Sequence, residues 1–356
     1  MTSQGNRHRV LVTGVGGNIG QGIVKALRAG RRPFWVIGVD MEPLSAGFSL
    51  VDRYQVVPRT SAPEFETKFK EIAEREGPEA VYVCSPTELE YFSIHRERLE
   101  RECRLKIFVN PPEVCRIGAD KHKTALFLKG HGFRYPLTAL AQDDEGIHQL
   151  MEARGFPLLM KPVNGFTSRH VYLVRSFEEI RAARMLVPQL VVQEHLPEAG
   201  GEYTAGTISG TDRKVRARIV LKRDLLQGTT YRTELAQNSP VEDKLVRIVE
   251  ALGAVGICNV QFRIVDEEVV VFEINPRFSG TSGVRYLYGF NDPEMMYDLF
   301  CLGREIRQPV LKSAVVLRYW NEVCVPDTDF RILRNGGRHH RGFQTVIERP
   351  RSSSHS

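Results

Sequence analysis

Short apolar runs separated by segments of helical spacing fill the first third of the chain. HRVLVT (residues 8–13) reads as a buried strand, a glycine-rich turn GVGGNIGQG follows, and a helix is expected from about Gln21 to Arg28. A second strand, WVIGVD, ends at Asp40, and further strands are expected at AVYVC (80–84) and KIFVN (106–110). Strands that alternate with helices imply a parallel sheet with right-handed crossovers. Residues 1–112 are therefore expected to form an N-terminal Rossmann-like parallel-sheet domain of α/β class.

The pattern then changes to α+β. A helix is expected around Asp120 to Gly130, strands at FPLLMKPV (156–163), VYLV (171–174) and LVVQEHL (190–196), and a helix at SFEEIRAARML. Residues 113–196 thus read as a lid-like unit. Residues 197–310 read as a second unit, with strands at EYTAGTISG (202–210) and VRARIVLK (215–222) and a helix through PVEDKLVRIVEALG (240–253). A hairpin, ICNVQFRIVDEEVVVFEINPR, follows, then a loop rich in Gly and Ser and a helix around PEMMYDLFCLG. Residues 311–347 are expected to be a C-terminal strand segment, in which the aromatic VLRYWNEVCVPD either closes the site or, the favoured reading, packs on the core, and residues 348–356 a disordered tail.

Composition narrows the function classes. Apolar content of 42% and charged content of 26% fit a globular protein. No apolar run approaches the roughly 18 residues of a membrane span, and the N-terminus has no apolar signal core, so a cytoplasmic protein without a membrane partner is expected. The six cysteines are scattered without a CxxC pair, which argues against disulfides, structural zinc or a cysteine nucleophile. The net charge of +6 is spread along the chain, with its densest cluster at Arg331, Arg334, Arg338, His339, His340 and Arg341. With no nucleic-acid module in view, no nucleic-acid partner is expected, and anionic small substrates account for the surplus.

Two segments carry candidate chemistry. Gly14, Gly16, Gly17 and Gly20 follow the first strand, where a phosphate could approach a helix N-terminus, and Asp40 ends the second strand, where a ribose-binding acid would stand. A nicotinamide site is one reading; a tight strand–helix turn is the favoured one. In CNVQFRIVDEEVVVFEINPRFSG, Glu273 and Asn275 share a strand face. A three-residue loop, Asp266 to Glu268, would set Gln261 opposite Glu273 and Asn259 opposite Asn275. A two-residue loop would pair Val260 with Glu273 and turn Gln261 away, so a metal site here requires the odd-numbered loop. Phe262, Ile264, Phe272 and Ile274 are expected on the buried face. One carboxylate plus amide oxygens suits magnesium on a triphosphate, and Arg277 just beyond can grip phosphate oxygens.

FEINPRFSGTSG resembles the metal-binding signature of ATP-grasp enzymes. With NVQF and the opening GVGGNIGQGIVKAL, it resembles the carbamoyl-phosphate synthetase large-subunit branch over residues 8–300. The resemblance implies a two-lobed ATP-grasp module after the Rossmann-like domain, with ATP and Mg2+ (or Mn2+) as cofactors. It implies Gln261, Glu273 and Asn275 as metal ligands, and Lys121 and Lys161 as neutralisers of ATP phosphates. Gln193, Glu194, His195 and Leu196 match the adenine hinge and Glu202 the ribose-binding residue. Arg223 stands where such proteins place a substrate or phosphate arginine, and Arg285 is either a carboxylate clamp or a structural arginine at a helix start. After Lys161, where the family has a glycine-rich loop, PVNGFTSRHV offers only Gly165, with Thr167 and His170 at glycine positions and Ser168 and Arg169 as substitutes.

The expected activity is an ADP-forming ligation. A substrate carboxylate attacks the γ-phosphate, and the acyl phosphate is captured by an amine or another nucleophile. Small-molecule acids and amines are the expected partners, with a homodimer allowed by the resemblance. A single grasp unit argues against synthesis of carbamoyl phosphate. Two rival readings stay open: a nicotinamide-dependent oxidoreductase using the glycine loop, and a nucleotide-binding protein without turnover.

Overall fold

The computed structural model describes residues 7–165, 171–187, 189–319 and 321–325. The depleted glycine loop at 166–170, the basic cluster beyond residue 330 and the tail lie outside the described residues.

The N-terminal unit is a five-stranded parallel sheet of β1 (His8–Val12), β2 (Phe34–Asp40), β3 (Arg53–Val56), β4 (Ala80–Tyr82) and β5 (Lys106–Phe108), in the order β3-β2-β1-β4-β5. Helices α1 (Asn18–Ala29), α2 (Phe65–Glu76) and α3 (Leu89–Cys103) cover it. Alternation along β1 explains the layering: Val10 and Val12 enter one core, Leu11 the other. The sequence reading missed β3, a four-residue strand whose Arg53 and Gln55 break the apolar run. The chain order reverses between β1 and β4, and the crevice beyond their carboxyl ends is the topological switch point of the sheet.

Helices α4 (Pro112–Ala119) and α5 (Lys121–Gly130) follow, packed against the hairpin described below. A small antiparallel sheet, ordered β6-β9-β7-β8, then forms the lid from β6 (Thr138–Leu140), β7 (Leu158–Pro162), β8 (Tyr172–Val174) and β9 (Leu190–Glu194). Helices α6 (Asp144–Arg154) and α7 (Phe177–Leu186) back it.

The third unit is a six-stranded antiparallel sheet, ordered β14-β13-β10-β11-β12-β15. Its strands are β10 (Tyr203–Ser209), β11 (Val215–Leu226), β12 (Thr229–Leu235), β13 (Gly256–Val265), β14 (Glu268–Asn275) and β15 (Val315–Leu317). Helix α8 (Ser239–Leu252) covers one face, and α9 (Ser282–Arg285) and α10 (Asp292–Phe300) connect the sheet to the N-terminal unit. One core runs through both units, uniting Val10, Val12 and Ile23 with Ile219, Ile257, Phe278 and Tyr297. The joint depends on small residues: a Cβ on Gly22 of α1 would come within 2.9 Å of the Gly283 backbone in α9. Only the first part of the expected C-terminal strand segment is described, and it is the short edge strand β15, paired with β12.

The fold class is as expected. The hairpin turn is not. Val265 pairs with Glu268 across a two-residue turn in which Asp266 and Glu267 both have positive φ, the geometry of a type I′ turn. Yet Gln261 faces Glu273 and Asn259 faces Asn275. A bulge between Gln261 and Phe262 supplies the extra residue, so the odd count resides in the strand rather than the loop. Phe272 is that residue. It leaves the buried face, where it was expected, and lines the cleft, while Phe262, Val271 and Ile274 remain in the core.

Candidate active site

A cavity of about 1230 Å³ lies where the lid, the six-stranded sheet and the carboxyl ends of β1 and β4 meet. Strand alternation builds its floor: Cys258, Val260 and Phe262 pack toward α8, while Asn259, Gln261 and Arg263 face the cavity. In β7, Leu158 and Met160 enter the lid core while Leu159 and Lys161 turn into the cavity. The Lys121 backbone N–H donates to Val163 O at 3.1 Å, which docks the start of α5 on the end of β7 and brings both lysines to one place.

Glu273 is the acidic centre of this wall. Asn275 Nδ2 donates to its Oε1 at 2.9 Å, and Arg277 Nη2 donates to Asn275 Oδ1 at 2.9 Å. Across the bulge, Gln261 Oε1 accepts from Arg223 Nη2 at 2.7 Å. Arg223 also donates to Glu202 at 2.6 Å, and Arg263 lies 3.7 Å from the same carboxylate. Burial depresses Lys161 to about 8, against the raising influence of Glu273, and the Lys121 charge depresses it further. Burial likewise lowers Lys121, and it lowers Arg277 to about 10; in both, Glu273 opposes the shift. Glu273 is thus the acid that three cations taken out of water share, with Asp120 also acting on Lys121 and Glu202 on Lys161, a cluster that suits a polyanion.

The expected hinge residues Gln193, Glu194, His195 and Leu196 all line the cavity. Two have structural side chains. Gln193 donates to Thr138 Oγ1 at 2.8 Å, and Glu194 holds Arg154 at 2.8 Å and the Leu137 N–H at 3.0 Å. Leu196 O accepts from Arg263 at 2.8 Å.

Arg285 does not reach the cavity. It is fully buried, paired with Asp292 at 2.9 Å and bonded to Asn259 Oδ1 at 2.5 Å. A guanidinium already neutralised inside the core is unavailable to a substrate carboxylate, so the clamp role expected for it is withdrawn.

The glycine loop is closed on itself. The Gly16 N–H donates to Asp40 Oδ2 at 2.7 Å, and Asp40 Oδ1 accepts from the Glu42 N–H at 3.0 Å. The 3-10 turn Ala46–Leu50 lies over Val15 and Gly16 so closely that a Cβ on Gly47 would overlap Val15 O. The amide and the acid that a dinucleotide would engage are thus committed to each other, which disfavours the nicotinamide reading. Of the cysteines, only Cys84 lines this cavity, and burial raises its thiol well above the ordinary range. Among the described residues no group of three His, Cys, Asp or Glu could hold a metal, and no helix is long and apolar enough to cross a membrane.

Among the cavity residues that the sequence reading did not place there, four bear on its chemistry: Arg263, Glu88, Phe272 and Arg318. Arg263 was legible, being two positions beyond Gln261 on the same strand. Glu88 follows β4, at the switch point that an open parallel sheet makes its binding crevice. Phe272 depends on the bulge, and Arg318 arrives through long-range packing of β15, with no local signal.

Comparison with known proteins agrees with this fold. A family described as ATP-grasp in the biosynthetic pathway with Ter operon matches residues 186–323. The large chain of carbamoyl phosphate synthase from Thermotoga sp. (strain RQ2) is 23% identical over 83% of this chain, which spans 30% of that protein's length. The ADP complex of N5-carboxyaminoimidazole ribonucleotide synthetase superposes with a TM-score of 0.68 at 15% identity, over 89% of this chain and 83% of the other. The L-amino acid ligase from Bacillus licheniformis gives a TM-score of 0.62 at 17% identity, over 83% of this chain and 74% of that one. The resemblance drawn from FEINPR and NVQF therefore holds in sequence and in fold.

Proposed function

We propose that this chain, which has the ATP-grasp fold, is an ATP-dependent ligase that activates a carboxylate as an acyl phosphate and transfers the acyl group to an amine. The observation that carries the reading is the convergence of Lys121, Lys161 and Arg277 on Glu273, opposite Gln261, between the lid and the large sheet. Oxygen donors and surplus cations in one cavity suit a metal-bound triphosphate. Glu273, Gln261 and Asn275 would hold Mg2+. The amide oxygens each have two lone pairs and can keep their arginines while ligating. The metal would supply charge neutralisation for the β- and γ-phosphates.

The chain's own residues perform the rest. Lys121, Lys161 and Arg277 offset the charge that moves during phosphoryl transfer, which is catalysed mainly by positioning and electrostatics. The hinge segment 193–196 would receive the adenine, with Phe272 beside Lys161 on the opposite wall, its ring centroid 5.9 Å from Nζ. Glu202 would meet the ribose, and Arg223, which bridges Glu202 and Gln261, positions both. The substrate carboxylate attacks the γ-phosphorus and ADP leaves. The amine then attacks the acyl carbon, the bond from carbon to the phosphate oxygen breaks, and inorganic phosphate departs.

The test is ADP release from MgATP against pooled carboxylates and amines. Release that needs both an acid and an amine supports the ligase, and Glu273→Ala should lower it about a hundredfold to a thousandfold with the fold intact. Unchanged turnover in that variant would remove the metal assignment. Heat protection by a nicotinamide nucleotide but not by ATP would overturn the reading.

A further inference from the structure

The hairpin of β11 and β12 ends over the cavity. Its turn, Gln227 and Gly228, has positive φ at both residues, and Leu226 pairs with Thr229 across it. Tyr231 is an extra residue in β12, because Asp224 pairs with Arg232 and Leu225 with Thr230. Alternation along β11 sets Leu225 on the same face as Arg223, and both line the cavity, while Leu226 falls on the other face. The tip approaches the N-terminal unit. Arg318 Nη1 donates to Thr230 O at 3.4 Å and to Asn18 Oδ1 at 3.3 Å, so the start of α1 stands beside the strand pair that carries Leu225.

On the N-terminal wall of the same cavity lie Ile19, in the first turn of α1, and Met41, which follows β2. Met41 is 53% exposed and Leu225 40%, and neither belongs to a hydrophobic core of the described residues. Large apolar side chains turned from two units into one cavity gain free energy when an apolar group covers them. The acids beside Met41 are already engaged: Asp40 accepts from the Gly16 and Glu42 N–H groups, and Glu42 from the Leu44 N–H. Size agrees. A cavity of about 1230 Å³ exceeds the roughly 300–1,000 Å³ of a site for one small molecule, which leaves room for a second beside the nucleotide. Leu225 is two residues beyond Arg223, whose guanidinium holds Gln261, so the space under the tip adjoins the proposed metal and the γ-phosphate. We infer that the acid substrate carries an apolar side chain, which Leu225 covers against Ile19 and Met41.

This inference rests on the ligase reading, and one experiment separates their failures. Full-length protein with saturating MgADP is titrated with acetate, 4-methylpentanoate or succinate at constant ionic strength, and thermal unfolding is followed. In the wild type 4-methylpentanoate should bind about tenfold more tightly than acetate or succinate. Leu225→Asn should narrow that advantage about fivefold, and Leu225→Met, which conserves volume, should keep it. Leu226→Asn alters the same exposed hairpin on its other face and should also keep it. The shift caused by MgADP alone should be equal in all four proteins, which shows that each is folded. An alkyl advantage that is absent in the wild type, or unchanged in Leu225→Asn, or lost equally in Leu226→Asn, overturns the assignment. So does tighter binding of succinate, which would point to Arg59, further out on the N-terminal wall, as the group that reads the side chain. An advantage that depends on Leu225 without any MgADP shift would sustain the apolar site and remove the nucleotide reading.

Discussion

The loop after β14 divides the molecule into a sealed side and an open side, and a buried arginine stands on each. On the sealed side Arg285 is fully buried, with Asp292 at 2.9 Å and Asn259 and Ser279 accepting from its Nη2. On the open side Arg277 lines the cavity, bonded to Asn275 and Phe278 O, and shares Glu273 with two lysines. Both guanidiniums are depressed by burial. The difference lies in charge balance. One arginine with one fixed counter-ion is framework, whereas three cations that share Glu273 and line an open cavity can meet a polyanion.

The sealed side offers the largest stability effect. Arg285→Ala should destabilise the fold by about 3–5 kcal/mol, because Asp292 is left buried without its partner. Urea unfolding would measure it, and replacing both residues by leucine should cost less than the single change. A variant that kept its stability but lost turnover would move Arg285 from framework to chemistry and break the comparison.

The open side should respond to nucleotide and pH instead. Lys161 has a pKa of about 8 in the free site, below the 10.5 of an ordinary lysine. The folded chain therefore binds fewer protons than the unfolded chain between these values, and this residue's contribution to stability increases with pH across that window. Phosphates act in the opposite sense, since they favour the charged ammonium. MgADP binding should take up protons at about pH 8.5, little at about pH 6, and should weaken as pH rises through 8. Calorimetry in two buffers of different ionisation enthalpy would detect the uptake. Lys161→Ala should remove the part that titrates near 8 and weaken MgADP about tenfold or more. Uptake unchanged in that variant would assign the titration elsewhere.

The contrast between the two sides was only partly legible in the sequence. Lys161 was visible because a lysine in the apolar run PLLMKPV needs a reason. Glu273 and Asn275 were visible through strand alternation. Their register was right for a mistaken reason, since local spacing cannot distinguish a three-residue loop from a two-residue turn plus a bulge. Arg285 could be read as clamp or as framework, and Arg318 carried no expected role, because counter-ions are a property of packing. Asp292 is seven residues from Arg285, but their pairing depends on the turn that α9 makes into the core. Arg318 reaches Asn18 across 300 residues of chain.

The smallest effect belongs to the N-terminal wall of the cavity, where the charge balance is reversed. Glu88 accepts from Thr13 Oγ1 at 2.5 Å, and that hydroxyl in turn accepts from the Cys84 N–H at 3.1 Å. Burial raises its carboxyl to about 7, the Thr13 hydroxyl and the Ser85 backbone oppose the rise, and the nearby charge of Asp40 adds to it. Between 4.5 and 7 the folded chain holds this proton more tightly than the unfolded chain, so stability from Glu88 is present below that range and is lost as pH rises through it. Glu88→Gln cannot ionise. It should match the wild type near pH 4.5 and be more stable above pH 7, by about 1 kcal/mol once the half-exposed setting is allowed for. The difference between the two urea midpoints, followed against pH, should track a single titration. If it were flat, Glu88 would be an ordinary solvated carboxylate. If it reversed, with the glutamine less stable at high pH, the ionised carboxylate would be stabilised by a cation, and the charge contrast between the two cavity walls would fail.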